Sequence, residues 1–508
     1  MSIRRYTLLA AALILLSAAV QLGPVDVHGA NGYDGRAPEL QSILDRELPG
    51  LMKKYGVPGV EITVIDEDRI STMSYGYAEV STQKPVTADT MFQVGSLSKT
   101  VTAWGAMKLV DQGKIALDEP IEKYLKTWPL PESKYSSEGV TLRRILSHTA
   151  GLSLRGYAGV KPSEGLVPLE ESLRGNTKGA GDVRIINEPG SIFQYSGGGY
   201  TLLQLVIEEV SGMPFAQYMD QEILKPLGMN NSTFEWGEAA PRTSKAYGVL
   251  GQELPNYIFT EKAAAGFYTT SADLAKLQAA AMDLPGSMPA GGGVLKPETV
   301  ALMKQGVLNN AWGLGYELME LPKGETAIGH GGANRGWRAR MLQMTDKNQG
   351  LVVLTNSDTG SNILVEVAAL WIQQQTGALP DFYKAMHNNE RLALIIAGAM
   401  ALLLAIVSVC VAKSIIVKSR QYSYFISKNK WRRLLRVLLP MLAVAAWWIG
   451  LYAPIIQGWN AAQFLPVNVK WITFVLTLWC IPLLAIALFP QKNIKLPGNN
   501  IGMKKENL

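Results

Sequence analysis

The stretch Leu392–Ala412 holds 21 residues without a single charge. A run of that length is enough to cross a hydrocarbon layer of about 30 Å as a helix. It divides the chain into a long part before it and a strongly apolar part after it. Two further runs follow, Val437–Ile456 and Trp471–Phe489. Between the first and second lie Lys413, Lys418, Arg420, Lys428, Lys430, Arg432 and Arg433. Lys492, Lys495, Lys504 and Lys505 follow the third. Basic residues gather on the cytoplasmic side of membrane spans. Both clusters therefore predict the same topology: three transmembrane helices over 391–490, a cytoplasmic tail over 491–508, and everything before the first span outside the cytoplasm. No ionisable residue sits in mid-span, so anchoring fits these helices better than a transport pathway. They could also help an amphiphilic substrate approach.

The opening Met1-Ser2-Ile3-Arg4-Arg5 is basic, and Tyr6 to Val20 is almost wholly apolar. That pattern predicts a signal peptide over 1–30, cleaved near Gly29 or Ala30, with an uncleaved anchor as the alternative. A folded domain then occupies 34–380. The net charge of +6 does not point to nucleic acid. The basic residues crowd one loop and lack the aromatic interleaving of nucleic-acid surfaces. The two cysteines, Cys410 and Cys480, both lie in apolar runs, which rules out a disulfide framework.

Within the domain, Leu40, Ile43, Leu44, Leu48, Leu51 and Met52 recur at helical spacing over 38–55. Val60–Ile65 and Ile70–Ala78 read as strands joined by a turn at Asp66-Glu67-Asp68-Arg69. An amphipathic helix is predicted from Ser96 to Val110, ended by Gln112-Gly113. A helical, loop-rich stretch follows to about residue 285, then a Gly-rich loop over Gly286–Gly293. Arg338–Met344 and Leu351–Leu354 form a second strand pair, and Ile363–Thr376 a closing helix.

Ser-x-x-Lys occurs three times, at Ser81, Ser96 and Ser427. Only Ser96 opens a predicted helix, where residues three apart share a face. Lys99 can then reach the Ser96 hydroxyl, and the helix N-terminus favours a developing negative charge. Serine attacks well only when a base takes its proton. Lysine serves as that base only when burial or a nearby cation depresses its pKa. Tyr195 is the expected third member, its phenol shifted toward phenolate and sharing a proton with Lys99. The bland alternative is a helix cap and a surface lysine. Metal chemistry finds no support among His28, His148, His330 and His387: neither His-Glu-x-x-His nor Cys-x-x-Cys is present. No cofactor is expected. Gly-x-Ser-x-Gly is missing around Ser96, which excludes an α/β-hydrolase elbow.

Ser96-Leu97-Ser98-Lys99, Ile145-Leu146-Ser147-His148-Thr149-Ala150-Gly151-Leu152 and Pro189-Gly190-Ser191-Ile192-Phe193-Gln194-Tyr195-Ser196 stand in that order. Gly113-Lys114-Ile115-Ala116-Leu117-Asp118-Glu119-Pro120, Ile223-Leu224-Lys225-Pro226-Leu227-Gly228-Met229 and Ala265-Gly266-Phe267-Tyr268-Thr269-Thr270 lie around them. Over about 38–376 the chain resembles the class C branch of the serine β-lactamase and penicillin-binding-protein family. The resemblance implies an α+β fold, a β-lactamase/transpeptidase-like antiparallel sheet flanked by helices with a helical subdomain. It implies Ser96, Lys99 and Tyr195 as catalytic residues and the N–H groups of Ser96 and Ala333 as the oxyanion site. His148 reads as a packed, hydrogen-bonded histidine or as catalytic support.

Two departures stand out. Gly197 replaces an asparagine usual in members with β-lactamase activity. His330-Gly331-Gly332 replaces Lys-Thr-Gly, a weaker anchor for a carboxylate. Both argue against an efficient β-lactamase or D-Ala-D-Ala carboxypeptidase. Asn334, Arg335 and Arg338 follow closely and could read polar substrate groups, or could simply face water. With the predicted spans, the chain resembles membrane-bound peptidases that mature nonribosomal peptides of the colibactin and zwittermicin type. That implies a membrane-anchored serine peptidase or amidase cleaving an N-acyl-D-amino-acid amide of a peptide substrate. A cell-wall D-amino-acid peptidase, an esterase and a penicillin-binding sensor are the alternatives.

Overall fold

A computed structural model describes residues 40–489 except 68, 178–179, 285–288, 309–310, 418, 421–429 and 453–467. The expected signal peptide, the cytoplasmic tail, much of the basic loop and part of the Gly286–Gly293 loop lie outside the described residues. The described residues fall into two compact units, one from Leu40 to Lys384 and the other from Ala385 onward.

The first unit is built on a seven-stranded antiparallel sheet. Its strands are β1 (Gly59–Asp66), β2 (Arg69–Glu79), β3 (Lys84–Pro85), β4 (Glu317–Glu320), β5 (Thr326–Asn334), β6 (Trp337–Met344) and β7 (Gln349–Thr355). They lie in the order β3-β2-β1-β7-β6-β5-β4. The two hairpins expected at the ends of the domain therefore meet at its centre, where Ile62 of β1 pairs with Val353 of β7. Helix α1 (Leu40–Tyr55) covers the sheet with the closing helix Gly360–Thr376, and the Tyr55 hydroxyl donates to Glu366 across them at 2.6 Å.

Sequence patterning missed β4 and β5. Strand interiors disfavour glycine, and β5 holds three. At two of the three, the reason is close approach. A Cβ at Gly329 would collide with the Met341 carbonyl oxygen, and one at Gly332 with that of Val94.

Helix α2 (Leu97–Asp111) begins one residue after Ser96. It is not amphipathic. Leu97 to Met107 are all buried, polar residues included, because α2 runs through the core rather than along its surface. Its hydroxyls are satisfied by backbone instead of water: Thr100 donates to Gly315 O at 2.9 Å and Thr102 to Ala263 O at 3.2 Å. Helix α3 (Gly197–Ser211) packs beside it and belongs to the helical part.

Among the described residues, two helical stretches are long and apolar enough to cross a membrane: Asp381–Ile416 and Val469–Leu488. The expected middle span is not matched among the described residues. Its helix starts at Lys430 in basic sequence, and the apolar part, Val437–Leu451, is shorter than those two. At 1.5 Å per residue it reaches about 22 Å, short of a layer of about 30 Å. Its expected end at Ile456 lies outside the described residues. Within the second unit the Trp447 indole donates to Thr473 at 3.1 Å and that of Trp448 to Thr477 at 3.0 Å.

Candidate active site

Ser96 follows Gly95, whose φ of +52° lets the chain turn sharply into α2. Ser98 pins that turn. Its hydroxyl donates to Gly95 O at 2.6 Å and accepts from Phe267 N–H at 3.0 Å. Lys99 lies one helical turn past Ser96 and is 2 % exposed. Its Nζ donates to Ser96 Oγ at 3.2 Å and to Ala264 O at 2.7 Å. It stands 5.1 Å from the Tyr195 ring centre and 5.7 Å from that of Tyr200. Burial lowers its pKa to about 7. A buried ammonium among neutral groups loses hydration that nothing replaces, so the neutral amine gains. The lysine is therefore a base at neutral pH.

Tyr195 arrives from the start of α3. Ser196 caps that helix: its Oγ accepts from Gly199 N–H at 2.9 Å and donates to Ser153 O at 2.6 Å. The Ser196 N–H donates to His148 Nδ1 at 3.1 Å, and the His148 ring lies 4.2 Å from that of Tyr195. The Tyr195 hydroxyl hydrogen-bonds the Ser96 side chain. The expected drift toward phenolate does not occur. Burial pushes the Tyr195 pKa well above the ordinary phenol value. Desolvation outweighs the hydrogen bond with Ser96, so the phenol stays protonated.

Strand β5 brings in His330, Gly331, Gly332, Ala333 and Asn334. A Cβ at Gly95 would lie 2.7 Å from Ala333 N, which sets the Ala333 backbone against the nucleophile turn. Glycine at 332 is what lets β5 come this close. His330 is buried, and its Nδ1 lies 2.6 Å from Gly331 O. Burial, with the Lys99 charge, lowers its pKa to about 3. It is thus a neutral ring, not a cation. Asn334 uses its amide hydrogens inside the fold, toward Gln93 Oε1 at 2.8 Å and Ala265 O at 3.0 Å. Only its carbonyl oxygen remains for a ligand. Arg338 neither faces water nor reads substrate: it is buried and paired with Asp358 at 3.0 Å. The Arg335 guanidinium lies 4.5 Å from the Tyr257 ring centre.

Gly197 opens α3 beneath the tyrosine. A Cβ there would stand 3.2 Å from Arg155 O and 3.4 Å from the Tyr157 ring. The segment through Arg155 and Tyr157 thus crowds the position where an asparagine side chain would begin.

Trp312 escaped the sequence reading. Its ring lies 5.1 Å from His148, 5.6 Å from Phe193, 5.8 Å from Tyr195 and 5.2 Å from His330. It thereby links the tyrosine loop to β5. The only sequence signal was an aromatic residue in the Gly-rich run Trp312-Gly313-Leu314-Gly315-Tyr316. Gln93 was also missed. Its amide donates to Tyr257 O at 2.7 Å and Tyr268 Oη at 3.0 Å while its oxygen holds Asn334. Among the described residues, His148 Nε2, His330 Nε2 and Trp312 Nε1 are buried without hydrogen-bond partners.

The arrangement joins a hydroxyl, a buried amine that titrates near pH 7 and a protonated phenol. Such a set can take a proton from Ser96 and return one to a leaving group.

A family model described as Beta-lactamase matches residues 44–373. Penicillin-binding protein 4* of Bacillus subtilis (strain 168) is 26% identical over 332 residues, covering 61% of this chain and 70% of that protein. The octameric penicillin-binding protein homologue from Pyrococcus abyssi superposes with a TM-score of 0.55 at 26% identity, covering 65% of this chain and 77% of that one. SurE with D-Leu superposes with a TM-score of 0.53, also at 26% identity, covering 65% and 74%.

Proposed function

We propose that this chain, which belongs to the β-lactamase family of serine hydrolases, is a membrane-anchored peptidase or amidase that works outside the cytoplasm through an acyl-enzyme. Its substrate in this reading is an N-acyl-D-amino-acid amide of the kind found in a peptide prodrug. The observation that carries the chemistry is the Ser96 hydroxyl held by both Lys99 and Tyr195, with Lys99 buried.

Ser96 Oγ attacks the amide carbonyl carbon and its proton passes to Lys99. The oxyanion faces the N–H groups of Ser96 and Ala333, where two preorganised donors are worth several kcal/mol. The C–N bond then breaks. Tyr195 gives its proton to the leaving amine and regains one from Lys99. Water attacks the ester by the reverse route and releases the acyl product. His330, Gly331, Gly332 and the Asn334 carbonyl line the substrate side.

The topology part of the reading rests on two long apolar helices and on the two basic clusters. The D-configured substrate is supported by the likeness to a protein solved with D-Leu. A cell-wall D-amino-acid peptidase is the second reading, favoured by the likeness to penicillin-binding protein 4*.

The test uses detergent-solubilised full-length protein and its Ser96→Ala variant. Both are incubated with an N-myristoyl-D-asparaginyl amide and its L-isomer, and cleavage is followed by mass spectrometry. Cleavage of the D-isomer alone, lost in the variant, is the expected result. No cleavage of either by protein that still hydrolyses an activated ester would sink the substrate assignment and turn the search to cell-wall peptides.

A further inference from the structure

Helix α3 starts just past Tyr195 and carries Gln204, whose side chain is buried. That side chain crosses to a segment far along the chain. Its Nε2 donates to Thr260 O at 3.1 Å, and its Oε1 accepts from Ala263 N–H at 3.1 Å. The amide oxygen only accepts and the amide nitrogen only donates, so a single orientation satisfies both. Gln204 thus clasps the turn that opens the short helix Lys262–Ala265.

That helix is one turn long and depends on outside support. A single turn fixes many dihedrals for few hydrogen bonds, and the first N–H groups of any helix lack partners within it. Here Lys262 N–H bends back to Thr260 O at 2.9 Å, and Ala264 N–H reaches Glu261 O at 3.1 Å. The Ala263 N–H between them finds its acceptor on Gln204. The helix in turn presents two successive carbonyls to α2. Ala263 O receives the Thr102 hydroxyl at 3.2 Å, and Ala264 O receives Lys99 Nζ at 2.7 Å. The bond from Lys99 to Ser96 Oγ is longer, at 3.2 Å. The Ala264 carbonyl is therefore the closer of the two holds on the amine.

We propose that Gln204 is a positioning residue for the reaction: its clasp fixes the Ala264 carbonyl, which aims the Lys99 amine at Ser96. This rests on the acyl-enzyme reading above. It makes α3 the common support of the site, with Tyr195 placed at its start and the acceptor of Lys99 held from its middle. Without the clasp the Ala263 N–H is buried and unpaired, a state costly enough to make the turn relax. The amine then loses its aim, and its charged form loses the carbonyl that steadies it.

The experiment follows hydrolysis of p-nitrophenyl acetate by the solubilised full-length chain through the rise in activity near pH 7. The titratable side chains around Lys99 are Tyr195, Tyr200, His148 and His330, and burial keeps all four neutral there. The rise therefore reports Lys99. Gln204→Met keeps the side chain's length and loses both bonds. Its kcat is expected to fall roughly ten- to hundredfold with KM nearly unchanged, and the rise is expected to move to lower pH. Leu205→Ala, which loosens the buried packing of α3 and leaves the clasp alone, should lower the thermal midpoint without moving the rise. If the Met variant does not fold, Gln204→Asn, one methylene too short to span both groups, is read in the same way. Wild-type kcat and pH profile in a folded variant at position 204, or an equal displacement in Leu205→Ala, would overturn the proposal. Ser96→Ala separates the two levels. Wild-type turnover by that variant would overturn the acyl-enzyme reading and the proposal with it. An inactive Ser96→Ala beside an unaffected Gln204→Met overturns the positioning role alone.

Discussion

Lys99 Nζ stands 3.2 Å from Ser96 Oγ, and its other hydrogen-bond acceptor is the neutral carbonyl of Ala264, at 2.7 Å. The amine is thereby positioned without a countercharge. An ion pair would have raised its pKa and disabled it as a base. A carbonyl orients it and leaves desolvation to act unopposed.

Removing that amine should separate activity from stability. Lys99→Met keeps the length of the side chain and removes a buried polar group. We expect kcat/KM for an amide substrate to fall roughly 100- to 10,000-fold. The thermal midpoint should hold or rise, since well-packed apolar replacements of buried charges often stabilise. Activity loss with a large drop in thermal midpoint would instead assign Lys99 a structural role.

The pH profile follows from the same residue. Lys99 is a base only when neutral, and its pKa is lowered to about 7. On an uncharged substrate kcat/KM should therefore rise with pH through about 7 and level off above it. Stability has its own signature. Between about 7 and the ordinary lysine value of 10.5 the unfolded chain binds a proton that the folded chain does not. Stability thus rises with pH across that window and gains nothing from Lys99 below it. Denaturation of wild type and Lys99→Met across the window checks this, since the variant should lose that slope.

Glycines in one strand should differ sharply. A Cβ at Gly332 collides with the Val94 carbonyl, whereas at Gly331 it meets only the flexible Arg340 guanidinium, at 3.2 Å. Gly332→Ala should cost about 1–3 kcal/mol through overpacking and reduce activity by pushing β5 off the Ser96 turn. Gly331→Ala should stay near wild type in both. Equal effects in denaturation and rate measurements would contradict this account of the strand.

The buried pair Arg338–Asp358 should behave as a structural clamp on the β5–β6 turn. Asp358 Oδ1 also accepts from Gly336 N–H at 2.9 Å. Asp358→Ala leaves a buried guanidinium unpaired, and we expect a loss of about 3–5 kcal/mol in chemical denaturation. A variant with wild-type stability would show that Arg338 finds another partner or solvent.

Much of the framework was legible before any coordinates. The apolar run Val60–Ile65, bounded by Pro58-Gly59 and the Asp66 turn, marked β1, and the periodicity of Leu40, Leu44 and Leu48 marked α1, because a helix covered on one side writes its period into the chain. The same rule misread α2. A helix covered on all sides has no solvent face to record, and the Thr100 and Thr102 hydroxyls are taken up inside the core by the Gly315 and Ala263 carbonyls. β5 was hidden for a related reason, since the glycines that let it approach Val94 are poor strand formers. Two of the expected spans coincide with helices long and apolar enough to cross a membrane. The middle one is not matched among the described residues, where its helix begins in basic sequence at Lys430 and its apolar part is followed only to Leu451.

The sequence by itself determined which groups are present and which of them are one helical turn apart: Ser96 and Lys99 need only the pitch of α2 to meet. It also determined where the apolar runs and basic clusters fall. Tertiary structure alone decided the protonation states. Burial makes Lys99 a base, keeps Tyr195 a phenol and leaves His330 neutral, and burial comes from chain segments hundreds of residues apart. Spacing is a local property of the backbone, whereas desolvation is set by everything that packs around a group.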